Sequence, residues 1–380
     1  MIYLDNAATT YPKPESVYTA MDLANRELGV NAGRGSYALA RKASGLISET
    51  KNELRKLLNV DISVPVVFSP SITIALNQIA NGIEWKKNVT VYVSPYEHNA
   101  VARTLQSLSE KYDFKICFLP LIEATMEIDI EKMRFLFAKD KPFAVFCTHV
   151  SNVTGYILPV REIFAEAKKF GAITVLDSAQ SLGLIETDAN VINADFIAFA
   201  GHKTLYGPFG IGGFVNVSRV FLNEFITGGT GSDSLNLSMP DGLEAKYEAS
   251  SVNISAIAGL NAALKALNPG ENYKHEKELT EYLITKLSRL KNVKLYLPGD
   301  LSKHVGIVSF TYAGMNSDEI GTILDGDYDI AVRTGYHCAP YIHDYIKDKS
   351  SLGTVRVGLS RFNEKDDIDA LYKALEEIDD

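Results

Sequence analysis

The sequence predicts an α/β protein with a mainly parallel sheet, flanking helices and a smaller carboxyl-terminal α+β unit. Short apolar runs recur between residues 64 and 217, and stretches with helical spacing separate most of them. Strand, helix and strand repeated in this way build a parallel sheet that helices cover on both faces. The alternation stops after Gly228 and Gly229, where a polar loop leads into helices and a second, smaller group of strands.

Local composition predicts each element of the first unit. Pro12 and Pro14 keep residues 1–16 extended as an arm, and helical spacing follows over 16–28 and 37–58. Apolar runs typical of strands occur at 64–68, 89–94, 114–119, 143–149, 173–176, 196–200 and 211–217. Between them the clearest helix is 160–170, because Pro159 precedes it and Gly171 follows it.

The second unit is predicted in the same way. Residues 228–251 have the composition of a loop, and helices are predicted over 256–267, 271–290, 317–324 and 364–378. Strands are predicted near 293–297, 306–312, 330–333 and 354–359. Because no flexible linker separates the units, we expect an arm at 1–16, a large α/β domain at 17–255 and a small α+β domain at 256–380 that pack tightly together.

Composition limits the partners and the compartment. The 380 residues carry a net charge of −9, which disfavours nucleic acid or an anionic membrane as the main partner. No apolar run is long enough to span a bilayer and no signal peptide is recognisable, so we expect a cytoplasmic protein. Cys117, Cys147 and Cys338 indicate a reducing compartment rather than a disulfide scaffold, and no metal site is expected.

A carboxylate and a lysine follow two neighbouring predicted strands. The run at 173–176 ends on Asp177, and the run at 196–200 leads through Gly201 and His202 to Lys203. Ligands of an open parallel sheet bind at this edge. There a lysine can form a Schiff base and an aspartate can keep a pyridinium nitrogen protonated, as pyridoxal phosphate (PLP) enzymes require. Taken singly, each residue is more simply a loop or turn residue.

The motifs around this pair extend the argument. D-S-A-Q at 177–180 and G-H-K-T-L-Y-G-P-F-G at 201–210 resemble the class V aminotransferases among the fold-type I PLP enzymes, most closely the cysteine desulfurases. The likeness runs from Y-L-D-N-A-A-T-T at 3–10 to Arg356. It implies that PLP is bound by Lys203 as the imine, Asp177 at the ring nitrogen, Gln180 at the ring hydroxyl, His98 on the ring face and His202 at the phosphate.

The expected phosphate cradle departs from the family pattern. It should lie at the helix start after F-S-P-S-I-T at 68–73, with the Ile72 amide and Thr73 as donors. The family's S-G-A-T-E reads P-S-I-T-I at 70–74, and Ala200 lacks the usual hydroxyl. The threonine expected from a partner subunit reads Ser251, and Thr230 is the candidate replacement. Because each lost charge-assisted bond costs roughly 1.5–3 kcal/mol, we expect weaker retention of PLP than in typical relatives.

A second motif predicts the reaction. R-T-G-Y-H-C-A-P at 333–340 resembles the catalytic-cysteine loop of the desulfurases. Removing sulfur from cysteine needs a second thiolate, which forms more readily beside cations, here Arg333 and His337. The resemblance also implies that Arg356 clamps the substrate carboxylate and that Asn152 lies near this carboxylate and the ring hydroxyl of PLP. We therefore expect L-cysteine to be converted to L-alanine with a persulfide on Cys338, in a homodimer, with a sulfur-acceptor protein as a candidate partner.

Other functions remain open at this point. Within the family, the alternatives are a selenocysteine or cysteine-sulfinate lyase and a true aminotransferase. A silent family member that acts as a binding protein is the alternative outside enzymology, and the joint presence of the predicted PLP ligands argues against it. On its loop alone, Cys338 is equally a buried structural cysteine.

Overall fold

The computed structural model describes residues 1–32, 35, 37–231 and 235–379, so the predicted loops at 31–36 and 228–251 lie partly outside the described residues. The strands are β1 (Ile2–Tyr3), β2 (Val66–Ser69), β3 (Thr90–Val93), β4 (Lys115–Phe118), β5 (Pro142–Thr148), β6 (Ile173–Asp177), β7 (Phe196–Ala200), β8 (Gly212–Asn216), β9 (Val293–Tyr296), β10 (Ile307–Tyr312), β11 (Ile330–Ala331), β12 (Arg333–Gly335) and β13 (Thr354–Gly358). The helices are α1 (Glu15–Glu27), α2 (Ala38–Leu57), α3 (Ile72–Gly82), α4 (Asn99–Tyr112), α5 (Ile130–Lys139), α6 (Val160–Lys168), α7 (Ala189–Ile192), α8 (Leu243–Tyr247), α9 (Ile254–Lys265), α10 (Pro269–Leu287), α11 (Ser317–Tyr328), α12 (Ile342–Ile346) and α13 (Lys365–Asp379).

The central sheet has the strand order β2-β8-β7-β6-β5-β3-β4. Strands β3 to β7 run parallel, whereas β8 runs antiparallel to β2 and β7. Every residue of β7 and β8 is buried, as expected for strands that are covered on both faces. The predicted α/β class with a mainly parallel sheet is confirmed.

The smaller sheet is antiparallel, in the order β12-β13-β10-β9. Its core comes from a helical stripe on α10, formed by Leu279, Leu283 and Leu287, together with buried residues of β10 and β13. The predicted single strand at 330–333 is wrong, because β11 pairs with β1 in a separate sheet and β12 pairs with β13. The arm thus packs against this unit, and its Leu4 is fully buried there.

Helix α8 shows that tertiary contacts can override local composition. Helix α8 lies inside the segment predicted as a loop, and it buries Lys246, which pairs with Glu224 at 2.9 Å. Helix α9 packs mainly against α1 and α2, and its apolar residues join the core under the central sheet. The division of the chain at residue 256 stays a prediction. None of the helices described is long and apolar enough to cross a membrane.

Candidate active site

The carboxyl ends of β6 and β7 bring Asp177 and Lys203 together. Asp177 lies beside Thr148 of β5 and Ala198 of β7, and its Oδ1 accepts a hydrogen bond from the Ala179 amide at 2.9 Å. Burial lowers the pKa of Lys203 to about 8, and the negative charge of Asp177 opposes that shift. Burial raises the pKa of Asp177, and Lys203 opposes that shift in turn. The two side chains therefore form one electrostatic unit, as a PLP site requires.

His98 caps the amino end of α4 and faces the same site. Its Nδ1 accepts a hydrogen bond from the Ala100 amide at 3.0 Å, so the ring proton of the neutral form is on Nε2. Burial, together with the nearby charges of Lys203, Arg333 and Arg356, lowers its pKa to about 4. His98 is therefore neutral near pH 7 and surrounded by the cations of the predicted site.

The Cys338 loop lies against the start of α4. Arg333 Nη2 lies 3.8 Å from Cys338 Sγ, and the Asn99 amide donates to the Cys338 carbonyl at 2.7 Å. His337 turns away, with its Nε2 2.8 Å from Thr354 Oγ1. Burial holds the pKa of His337 well below its usual range, so this ring is uncharged near neutral pH. The cation beside the thiol is thus the guanidinium of Arg333 and not the adjacent histidine that the sequence also suggested.

Arg356 is buried on β13 with one carboxylate partner. Its Nη2 donates to Asp5 Oδ1 at 2.8 Å and its Nη1 donates to the Asn152 carbonyl at 3.0 Å. Among the residues described, Nε has no hydrogen-bond partner. The Asn152 side chain donates to the His337 carbonyl at 2.7 Å and so connects the arginine to the cysteine loop. Sequence reasoning missed Asp5, although its place in the Y-L-D motif at 3–5 was a signal.

The predicted phosphate cradle lies at the start of α3, close to β8. A Cβ added at Gly212 would lie 2.8 Å from the Ile72 amide nitrogen, so the helix end and the strand approach closely. The Ser71 hydroxyl caps α3 by accepting from the Ile74 amide at 3.3 Å, and Thr73 is exposed on the first turn. The free amides of such a helix end favour an anion.

His202 adds a polar atom that needs a partner. Its ring stacks on Phe209 with 4.6 Å between centroids, and Nδ1 is buried without a partner in the described part of the chain. Burial lowers the pKa of His202 to about 3, so the ring is neutral and can donate one hydrogen bond to a phosphate. This buried nitrogen is the observation that best fits the predicted phosphate ligand.

Thr230, Ser251 and Gln180 have other neighbours in the described part of the chain, and Ser251 also lines a cavity beside Ser69 and Pro70 at the predicted cradle. Thr230 and Ser251 line a groove of about 340 Å³ together with Asn31 and Lys51, and Ser251 Oγ accepts from Asn31 Nδ2 at 3.2 Å. Their role across a dimer interface stays a prediction. The Gln180 side-chain amide donates to the Ala7 carbonyl at 2.7 Å, and its contact with a ring hydroxyl also stays a prediction.

A cavity of about 870 Å³ opens over Cys338 rather than over Lys203. It runs between α4 and the cysteine loop, and its charged lining residues include Arg103, Arg333 and Lys349. Cys338 is half-buried on its wall, so the thiol is accessible from solvent.

Comparison with known proteins is consistent with this geometry. The family described as "Aminotransferase class-V" matches residues 2–371. A relative from Methanothermobacter thermautotrophicus, named "Probable cysteine desulfurase", is 32% identical over 99% of this chain and 94% of its own length. The apo structure of a cysteine desulfurase from Thermococcus onnurineus NA1 superposes with a TM-score of 0.91 at 30% identity, covering 99% of this chain and 94% of the other. A cysteine desulfurase from Escherichia coli gives a TM-score of 0.87 at 25% identity, with the same two coverages.

Proposed function

Because this chain belongs to the aminotransferase class-V family, as its motifs predict, we propose that it is a PLP-dependent cysteine desulfurase. The reaction is the conversion of L-cysteine to L-alanine, with the sulfur taken up as a persulfide on Cys338. The observation that carries this proposal is the position of the Cys338 thiol. It lies 3.8 Å from the Arg333 guanidinium and close enough to Lys203 for a thiolate there to raise the pKa of the lysine. A site built for amino transfer alone has no need of a thiol there.

The residues at the sheet edge support PLP as the cofactor. Asp177 is a buried carboxylate beside Lys203, and it would hold the ring nitrogen in its protonated form. The buried Nδ1 of His202 and the amide end of α3 provide two sets of donors for a phosphate. When bound, PLP supplies an electron sink for the negative charge that develops at the substrate Cα.

The side chains then divide the remaining work. Arg356 binds the substrate carboxylate, since a guanidinium can present two parallel N–H donors. Lys203 has a pKa of about 8, so a useful fraction of its amine is neutral near pH 7 and can take the proton from the substrate Cα. His98 is neutral and carries its proton on Nε2, where it can donate one hydrogen bond inside the site.

Sulfur transfer is assigned to Cys338. Its thiolate attacks the substrate Sγ, and a bond between the two sulfur atoms forms as the Cβ–Sγ bond breaks. The electron pair of that bond passes to the substrate Cβ, which then takes up a proton. The products are L-alanine and a persulfide on Cys338, and the Arg333 guanidinium stabilises the thiolate before attack.

Cys338→Ala tests the proposal against the alternatives. The purified protein is incubated with PLP, dithiothreitol and L-cysteine, and alanine and sulfide are assayed together. The variant should lose both products while it keeps the absorbance of bound PLP. Cys117→Ala is the matched control, because Cys117 is half-buried and lies on β4 away from the site. Unchanged turnover by Cys338→Ala would remove the thiol from the mechanism, and turnover of cysteine sulfinate alone would indicate a lyase.

The homodimer, the sulfur acceptor and the compartment are parts of the same proposal. Thr230 and Ser251 line a groove whose lining residues do not include Lys203, and their service to the site of a second copy is part of the proposal. The accessible thiol on the wall of the 870 Å³ cavity is consistent with transfer of sulfur to an acceptor protein. Three free thiols are consistent with a cytoplasmic location. Sedimentation of the holoenzyme measures the first point, and a monomer at working concentration would contradict it.

A further inference from the structure

A buried histidine–aspartate pair lies behind the cysteine loop. His343 is on α12 and Asp348 follows that helix, and each side chain is about 1% exposed or less. His343 Nδ1 lies 2.6 Å from Asp348 Oδ2, and His343 Nε2 lies 3.0 Å from the carbonyl oxygen of Tyr336, two residues before Cys338. Nothing in the proposed reaction uses either side chain.

The hydrogen-bond partners determine how many protons the pair holds. A carbonyl oxygen can only accept, so His343 Nε2 must carry a hydrogen. The 2.6 Å contact between Nδ1 and the carboxyl group needs one further hydrogen between them. The pair is therefore either an imidazolium with a carboxylate or a neutral imidazole with a carboxylic acid. Both forms have zero net charge, and both donate to the Tyr336 carbonyl.

Three successive carbonyl groups of the cysteine loop are held by different elements. His343 donates a hydrogen bond to the Tyr336 carbonyl and the Asn152 side chain donates to the His337 carbonyl. The Asn99 amide donates to the Cys338 carbonyl. His337 and Cys338 have positive φ angles of 47° and 57°, a backbone conformation that residues other than glycine rarely adopt. A loop in this conformation persists only when its surroundings hold it there.

We propose that His343, oriented by Asp348, is a positioning residue that fixes the cysteine loop so that the Cys338 thiol stays beside Arg333 and within reach of the substrate sulfur. The inference rests on the proposed desulfuration for its effect on rate, but the loop geometry can be tested without it. Without the His343 bond, the Tyr336 carbonyl keeps only the Ala339 amide within its own turn, at 3.0 Å. The thiol would then sample positions away from the guanidinium.

His343→Ala in the full-length holoenzyme is the first test. Losing this hydrogen bond should lower kcat with L-cysteine about 10- to 100-fold, while KM rises less than about threefold because Arg356 is untouched. Turnover of cysteine sulfinate should stay unchanged, because its sulfur group can leave without a thiol. His343→Gln should recover most of the lost rate, since its side-chain amide can donate to the same carbonyl. Asp348→Asn should have an intermediate effect.

A second measurement reports on the loop alone. Hydrogen exchange of the Asn99 and Ala339 amides, which bond to loop carbonyls, should accelerate in His343→Ala and recover in His343→Gln. His275→Ala is the matched control, because His275 also contacts a carbonyl, that of Asn363 at 2.9 Å, which is not part of the cysteine loop. It should change neither the rate nor these two amides.

The outcomes separate the two proposals. If the wild-type protein does not desulfurate cysteine but the exchange of both amides still accelerates, the proposed function fails and the positioning role stands. If the rate falls without faster exchange, or if neither changes, the positioning role is wrong. If His343→Ala does not fold, the same measurements on His343→Gln and Asp348→Asn decide, because both keep a polar group in the buried pocket.

Discussion

Glu97 gives the sharpest prediction for stability, because it is a fully buried carboxyl group next to the site. Its Oε1 accepts from the Thr148 amide at 2.7 Å and from the Ser94 hydroxyl, whereas Oε2 has no partner in the described structure. Burial raises the pKa of Glu97 to about 8, the bonds from Ser94 and Thr148 oppose that shift, and the charge of Asp177 adds to it. Glu97 is thus mostly protonated near pH 7.

The sign and size of the effect follow from that pKa. A carboxyl group with a raised folded-state pKa contributes full stability below its unfolded value of about 4.5 and loses that contribution as pH rises to about 8. The full shift corresponds to roughly 5 kcal/mol, and relaxation of the buried site should reduce the observed loss to roughly 2–4 kcal/mol. Glu97→Gln removes the titrating group, although its amide leaves an unsatisfied donor that costs about 1–3 kcal/mol at every pH.

The assay is denaturant unfolding of the cofactor-free protein and its Glu97→Gln variant from pH 5 to 8.5. The variant should be less stable at pH 5, and the difference should shrink or reverse by pH 8.5. Glu131→Gln is the control, because it makes the same substitution at a side chain that is 84% exposed. Parallel stability curves for the wild-type protein and Glu97→Gln would refute the raised pKa and the neutral state of Glu97.

Two further predictions concern the site itself. Arg333→Met should lower kcat with L-cysteine about tenfold or more, because the Arg333 guanidinium lies 3.8 Å from Cys338 Sγ and stabilises the thiolate in the proposed reaction. The absorbance of bound PLP should not change. Steady-state kinetics measures the effect, and an unchanged kcat would show that the cation is dispensable. Ala200→Ser should bind PLP about tenfold more tightly and lose it more slowly during dialysis, because it adds a hydroxyl donor where a buried alanine ends β7. If the variant retained PLP no better than the wild-type protein, the altered cradle would not limit binding.

The strand ends could be predicted from the sequence, because strand–helix alternation determines which side chains meet at one edge of a parallel sheet. Asp177 and Lys203 follow directly from that rule. The reversed direction of β8 does not follow, since an apolar run has the same composition in either direction. The division of the segment into β11 and β12 could not be predicted from the sequence either. The segment pairs with β1 at its start and with β13 at its end.

Contacts between distant residues account for the rest of what was missed. Asp5 lies 351 positions from Arg356, and no local pattern indicates that the two side chains meet at 2.8 Å. His343 and Asp348 are only five positions apart, but α12 is too short and irregular for helical spacing to predict it. Motifs could thus predict candidates for the reacting residues, whereas the residues proposed to orient them became visible only through hydrogen bonds and burial.

Asn152 connects the two halves of the proposed site. Its side chain donates to the His337 carbonyl and its own carbonyl accepts from Arg356 Nη1, so a single residue contacts both the cysteine loop and the arginine proposed to bind the substrate carboxylate. The distance between the Cys338 thiol and the Arg356 guanidinium is therefore determined by a few short hydrogen bonds, and a shift of one group would disturb the other. Since a misplacement of about 1 Å can cost about 100-fold in rate, such a shared anchor would let a substrate carboxylate bound by Arg356, as proposed, determine where the substrate sulfur meets Cys338.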